Sequence, residues 1–512
     1  MKYNSYNTHD LENRNKAIHS NENTLILASA GTGKTKLLVD KLIYEKDHND
    51  SYQTFAALTF TNKAAKEIKE RVKFNNRHLF IGTIDGFLEK EIIEPFISLY
   101  LKTESKLFYS YTNDNKFTSY SDGIKQIIDK NIIGTYKESS KNFKCELSLK
   151  ILKEVIYSRE YLKFKYKKIF IDEYQDCDFT MHSLFQYLNT QLAIKMFIVG
   201  DPKQAIYQFR GANPRYLEDL IKKDDYLKLQ LNNNFRSKQD IIDFSQAISP
   251  EIEVENMVNS QSIFYYASNP SESKANIIKF LIEESIIDLS SKTFLILGNN
   301  NDIYKLHKEL NTIYPREFEI VNKTNITNCI NKTILESIAK YYFDSEFSEY
   351  NFIENLYLEY DNILIADIKN ILLKIKNEPS IENIEELFDK LKIPVREFEG
   401  KLESELLQTI LKNDINKTLY NMQTNSKLLL TTHASKGLEA STVILFTSYF
   451  FHYESFNVEN KYVAITRAKN KLILIDDNNC RYKKRMNMLL EENQYNKFSF
   501  DDFVTDISNA IQ

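Results

Sequence analysis

The stretch ASAGTGKT, residues 28–35, follows the apolar run TLILA and opens the helical pattern KTKLLVDKLIYEK. It matches GxxxxGK[ST] except at its first position, where Ala28 replaces Gly. A loop of Ala28, Ser29, Ala30, Gly31, Thr32 and Gly33 can cradle phosphates with its backbone N–H groups. Lys34 can reach the β and γ oxygens, and the Thr35 hydroxyl can hold Mg2+. A second run, IFIDEYQD at 169–176, ends an apolar strand in carboxylates. Asp172 is placed to bind the Mg2+ of a phosphate loop, and Glu173 to orient or deprotonate a water molecule. Together the two runs predict an NTPase and leave open what the NTP is used for.

GDPKQAIYQFRGANP, residues 200–214, combines a polar lip with aromatic rings. Gly200, Asp201 and Gln204 end the buried run IKMFIVG, and Tyr207 and Phe209 follow closely. Two residues apart, those rings share one face if the chain is extended. Nucleobases stack on such rings for about 1–3 kcal/mol each, whatever their sequence. Arg210 can stack beside them or meet a phosphate.

The elements that must hold these groups are short apolar runs: TLILA (24–28), FAALTF (55–60), KIFIDE (168–173), MFIVGD (196–201), TFLILG (293–298), LLLTT (428–432), TVILFT (442–447) and KLILID (471–476). Continuous apolar strands of this length suit parallel sheets covered on both faces. Helical stretches separate them, which is the pattern of a doubly wound α/β fold. Strands cluster before residue 236 and after 290, so two α/β lobes are expected. Residues 89–159 and 346–420 lack the pattern and read as helical.

The 512 residues carry a net charge of −4 and a pI near 6.2, which argues against a blanket polyanion binder but not against a local groove. Cys145, Cys177, Cys329 and Cys480 are scattered without a CxxC, as expected of thiols in a reducing compartment. No apolar run approaches the ~18 residues of a membrane span, and the N-terminus has no apolar leader. A soluble cytoplasmic protein is expected. The basic runs KFKYKK (163–168) and RYKKR (481–485) read as solvated faces rather than nucleic-acid tracks.

The ordered set of motifs resembles that of superfamily 1 DNA helicases of the UvrD/Rep type. To the two nucleotide motifs it adds LTFTNKAAKEI (58–68), GTIDGF (82–87), GDPKQAIYQFRGA (200–212), LNNNFRS (231–237), THASKGLE (432–439) and YVAITRAK (462–469). The resemblance implies two RecA-like P-loop lobes, each with a short, mainly helical insert. Residues 1–88 with 160–236 would form the first lobe and 89–159 its insert. Residues 237–345 with 421–512 would form the second, and 346–420 a reduced, acidic insert. It implies ATP and Mg2+ as cofactors. Gln204 would sense the γ-phosphate, and Arg236 and Arg467 would bring positive charge to it. Phe235 would stack on adenine, Glu439 would lie near the ribose, and Asn15 would take the place of an adenine-reading Gln. Tyr207, Phe209 and Arg210 would lie under single-stranded DNA, with Phe60 lining a base pocket. Asp85 stands where most relatives carry His, and a carboxylate there is not expected to face a phosphate.

A narrower likeness, to the helicase-like subunit of the Gabija antiphage system, rests on GTIDGFLEKEIIEPF, NIIGTYKESSKNFK (131–144) and DEYQDCDFTMHSLF. It implies a nuclease partner of the OLD type with a Toprim domain, and the sensing of single-stranded DNA or DNA ends. Residues 341–420 hold 17 acidic and 9 basic side chains, a poor match to duplex DNA. The Leu- and Ile-rich helix ILIADIKNILLKI offers an apolar face to a lobe or a partner. Three readings stand at this point: a single-strand translocase or helicase, a partner-binding regulatory ATPase that hardly unwinds, and a housekeeping repair helicase.

Overall fold

Branched apolar runs bounded by Gly, Asp and Thr become parallel strands because both faces of the sheet can then be covered. In the computed structural model the described residues are 8–72, 79–104, 109–248, 260–291, 293–297, 300–315, 317–320, 329, 331–344, 347–356, 362–398, 400–413, 427–452, 455–456, 458–493 and 498–508. They divide into two compact units. One holds residues 1–105, 138–313 and 429–512; the other holds 106–137 and 314–428.

The first unit contains two sheets. The first sheet is built from β1 (Asn23–Ala28), β2 (Thr54–Thr59), β3 (Phe80–Thr83), β4 (Tyr166–Ile171), β5 (Lys195–Gly200) and β6 (Tyr226–Leu231), in the order β3-β2-β4-β5-β1-β6. Every pair in it is parallel. Its core joins Ile26, Phe55, Ala57, Phe170, Phe197 and Val199 to Leu38 and Leu42 of a covering helix. Each large side chain buried this way contributes about 1.5–3 kcal/mol. Two helices flank the phosphate loop: α1 (Thr8–His19), and α2 (Lys34–Asp47), which starts directly after Gly33.

The second sheet uses β7 (Ile263–Ala267), β8 (Thr293–Leu297), β9 (Lys427–Thr431), β10 (Ala440–Phe446), β11 (Ala468–Asp476) and β12 (Thr505–Asp506), in the order β9-β8-β10-β11-β7-β12. The β8-β10, β10-β11, β11-β7 and β7-β12 pairs are parallel. The expected α/β class with two parallel sheets is what the chain forms. Four of these strands fall outside the expected runs: β3, β6, β7 and β12. β6 is a sheet edge whose Lys228 and Gln230 face solvent between buried Tyr226, Leu229 and Leu231, so its sequence alternates instead of running apolar.

The second unit contains a parallel pair, Ser110–Phe117 with Ile132–Tyr136, on either side of the helix Tyr120–Lys130. This corrects the helical reading of that stretch. The run IIGTY is rich in β-branched residues, and a side chain at Gly134 would meet the Asn115 carbonyl oxygen at 2.2 Å, so only glycine allows the strands this close. The helices Lys332–Phe343, Asn362–Asn377, Ile381–Lys390 and Glu403–Leu411 share one core containing Leu335, Ile338, Ile368, Leu372, Leu387 and Leu407. The apolar face of ILIADIKNILLKI therefore packs within this unit. Parts of the expected acidic insert, 357–361 and 414–420, lie outside the described residues. Among the described residues no helix is long and apolar enough to cross a membrane.

Candidate nucleotide and nucleic-acid site

β4, β5 and β1 are neighbours, so their C-terminal ends stand side by side with about 4.8 Å between strands. Three loops therefore meet: 28–35 after β1, 172–176 after β4 and 201–211 after β5. The first is a phosphate-sized nest, with Gly31 at φ 76° and Gly33 at φ 75°. Side-chain carbon at Gly31 would come within 2.2 Å of Asn234 Oδ1, because the NNNFRS segment sits directly on the loop. The Phe235 N–H donates to the Gly31 carbonyl at 2.9 Å. Gly31→Ala is therefore expected to cost about 1–3 kcal/mol for its left-handed backbone and to push Asn234 away. Calorimetric titration with a non-hydrolysable ATP analogue checks this, and an unchanged affinity would contradict it.

The Lys34 ammonium lies 3.0 Å from Glu173 Oε1, an ion pair not aligned as a hydrogen bond. That leaves its N–H groups available to an oxyanion. The Thr35 hydroxyl donates to Asp172 Oδ2 at 3.1 Å, so the two expected Mg2+ ligands already lie together. Burial, with Glu173 alongside, pushes the Asp172 carboxyl above its ordinary range. A desolvated carboxylate beside a hydroxyl at a phosphate nest suits a hard divalent cation. Glu173 is held at φ 58°, a left-handed backbone that a glutamate adopts only at a cost. Burial would raise its pKa, but Lys34 and Lys436 outweigh burial and hold it below the usual carboxylate range. Gln175 Nε2 donates to Glu173 Oε2 at 2.5 Å.

Gln204 is buried and donates to Asp201 Oδ2 at 2.6 Å. Its other side-chain atom, Oε1, accepts from Arg467 Nη2 at 3.5 Å. Arg467 is only 2% exposed, and its further bonds run to the Val463 and Leu438 carbonyls and the Thr466 hydroxyl, at 2.9, 3.2 and 3.2 Å. All these acceptors are neutral. Burial, with Arg236 nearby, lowers the guanidinium pKa, yet an arginine stays protonated at neutral pH. The result is a buried cation hydrogen-bonded to no carboxylate, although Glu173 and Glu439 lie near enough to favour its charge. Arg236 differs: its Nε donates to Glu439 Oε2 at 2.9 Å, and Lys469 also pairs with Glu439.

Phe235 is 59% exposed, with the Arg14 guanidinium 5.6 Å from its ring centre. Arg14 also donates to the Thr32 carbonyl of the loop. Asn15 does not reach this place. α1 turns its Asp10, Asn13 and Ala17 face into the unit, and Asn15 lies on the exposed side. One residue along a helix is a rotation of about 100°, so Arg14, not Asn15, is the α1 residue at the nucleotide loop. Tyr462 is another residue the sequence reading missed: its buried hydroxyl accepts from the Ala30 N–H at 3.4 Å.

The ring pair is also rearranged. Gln208–Arg210 forms a 3-10 turn, so the chain is not extended. The Tyr207 and Phe209 rings lie 6.2 Å apart and tilted by 52°, and the Arg210 guanidinium stands 5.6 and 5.4 Å from them. His433 adds a third ring, 5.8 Å from Tyr207 and 5.2 Å from Phe209. Phe209 is 58% exposed. Phe60 follows β2, two strands from β5 and so about 10 Å along the same edge. Asp85 is neutralised by Lys144, whose ammonium lies 3.1 Å from Asp85 Oδ2 and also bonds Glu89. Of the basic runs, Lys483 and Arg485 pair with Asp501 and Glu492, whereas Lys168, expected to be solvated, is buried against Glu45.

Comparison with known proteins agrees with this geometry. Residues 14–210 match the AAA domain family, and residues 428–475 match the UvrD-like helicase C-terminal domain. The Gabija protein GajB of Bacillus cereus is 38% identical over 94% of this chain and 98% of its own length. The chain belongs to the GajB family of UvrD-like helicases. More distant members of the wider helicase group include a probable DNA helicase II homolog of Mycoplasma capricolum, 25% identical over 88% of this chain and 81% of its own length. The ATP-dependent DNA helicase PcrA of Staphylococcus epidermidis is 24% identical over 90% and 82% respectively. As a GajB-family helicase, the chain is a DNA-dependent ATPase built on a P-loop fold.

Proposed function

We propose that this chain uses ATP to move along single-stranded DNA and that it serves as the DNA-sensing subunit of an antiphage complex in the cytoplasm, licensing an OLD-type Toprim nuclease. The observation that carries the reading is Gln204. Its side chain touches Arg467 beside the phosphate nest, and Tyr207, three residues on, starts the ring platform. One short turn thus reports the nucleotide to the DNA strand.

The proposed roles join this geometry to the resemblance of the motifs. Lys34 and the loop from Ala28 to Gly33 receive the triphosphate. Thr35 and Asp172 would hold Mg2+, which supplies charge neutralisation to the phosphates. Glu173 orients and deprotonates the attacking water, while Gln204, Arg236 and Arg467 stabilise the charge that develops on the γ-phosphoryl group. Phe235 and Arg14 hold the base, and Glu439 fixes Arg236 and meets the ribose. Single-stranded DNA lies on Tyr207, Phe209 and Arg210, with His433 and Phe60 as further rings. The domain division proposed is 1–88 with 160–236 and 237–345 with 421–512 as the two lobes. The acidity of 341–420 favours a second reading, in which DNA drives hydrolysis with little duplex unwinding.

Phe209→Ala is expected to weaken single-strand binding by about 1–3 kcal/mol and to leave less DNA-stimulated hydrolysis. Fluorescence titration with oligo-dT decides it: equal affinity in variant and parent would return Phe209 to a packing role. Co-purification with an OLD-type nuclease tests the partner, and a chain that never associates with one would remove the licensing role.

A further inference from the structure

Lys436 is a single ammonium with four partners drawn from both halves of the proposed cycle. It is carried by the THASKGLE turn between β9 and β10, on the second sheet, yet all four partners belong to loops of the first. Its Nζ donates to Asp176 Oδ2 at 2.5 Å and to the Gln204 carbonyl at 3.1 Å. It pairs with Glu173 Oε2 at 3.3 Å and stands 5.2 Å from the centre of the Tyr207 ring. Its side chain is 11% exposed. Three residues earlier on the same turn, His433 stands against Tyr207 and Phe209, and its ring nitrogen meets the Ile206 carbonyl at 3.2 Å. One turn therefore touches the ring platform at one end and the carboxylate next to the phosphate nest at the other.

We propose that Lys436 is the positioning residue through which DNA on the rings controls hydrolysis, by restraining Glu173 until a strand is bound. The idea rests on the reading of Tyr207 and Phe209 as the DNA platform. Glu173 is gripped by two ammonium groups, Lys34 on Oε1 and Lys436 on Oε2. A triphosphate competes for the first, because its oxyanions sit where Lys34 has free N–H groups. A nucleic-acid strand competes for the second. It brings phosphate oxygens within reach of an ammonium at the platform, and a base stacked on Tyr207 changes the ring face that the cation shares. Each ligand removes one restraint, so the carboxylate is free to act on water only when both are present. Asp176 serves as the resting place from which the ammonium moves, since it holds Lys436 without touching the Lys34 side.

The test compares hydrolysis with and without oligo-dT for the parent, Lys436→Gln and Lys436→Arg. Gln should raise the DNA-independent rate and cut the stimulation ratio by roughly 5–150-fold, the usual range of coupling between two sites. Arg, which keeps the charge, should restore part of the ratio. Because Gln leaves Asp176 buried without its cation, the double variant Asp176→Asn/Lys436→Gln is measured as well and should show the same loss of ratio. An unchanged stimulation ratio in a variant that still binds oligo-dT would overturn the role of Lys436 and leave the platform intact. Equal loss of basal and stimulated rates would also overturn it, as a general structural effect. A parent that neither binds oligo-dT nor responds to it would instead remove the platform reading itself, and the proposal with it.

Discussion

Arg467→Ala should slow ATP hydrolysis by about 10³–10⁵-fold, the range over which an arginine at a transferring phosphoryl group acts. Arg467 is desolvated and hydrogen-bonded only to neutral oxygens, so no hydrogen-bonded carboxylate balances its charge before a phosphate arrives. A charge fixed in that way needs no reorganisation when negative charge develops on the transferring group. Arg467→Lys should rescue little, because a lysine cannot reproduce the fork that holds the Val463 and Leu438 carbonyls while reaching Gln204. Analogue binding should fall much less than turnover, since the loop and Lys34 are untouched. Single-turnover hydrolysis measures the effect, and a parental rate in the alanine variant would show that the nest and the arginine do not share one substrate.

Glu173→Gln should lower the rate by about 10²–10⁴-fold, the usual worth of a positioned general base. The amide is nearly the same size and can keep the Gln175 contact, but it cannot take a proton from water. Nucleotide binding should persist or tighten, because Lys34 is released from its ion pair with Glu173. Fluorescence titration with a labelled ATP analogue, alongside turnover, separates the two effects. A variant that hydrolyses at the parental rate would move the base elsewhere.

Much of the site was legible because its chemistry is written in contiguous runs. ASAGTGKT, DEYQD and GDPKQ each follow a strand, and parallel strands bring their C-terminal ends to one edge. Residues that act across the chain were harder to see. Arg14 lies one position from Asn15, and only the phase of α1 tells which of them turns inward. His433 and Lys436 were visible as part of THASKGLE, but their roles depend on a 3-10 turn that tilts Tyr207 against Phe209. The edge strand β6 and the pair around Gly134 escaped because partial exposure and one glycine break the apolar pattern that marks a covered strand.

The interleaving of the two units sets an order of events on the ribosome. The first sheet has all its strands once Leu231 has emerged, and with it the nest, Asp172, Glu173 and the ring pair. Arg467 emerges 236 residues later. At bacterial elongation rates that gap is roughly 10–50 s. For that interval a nascent chain can present a phosphate nest without Arg467 to act on what it holds. A premature stop between codons 232 and 467 would leave such a product, able to occupy nucleotide and unable to turn it over.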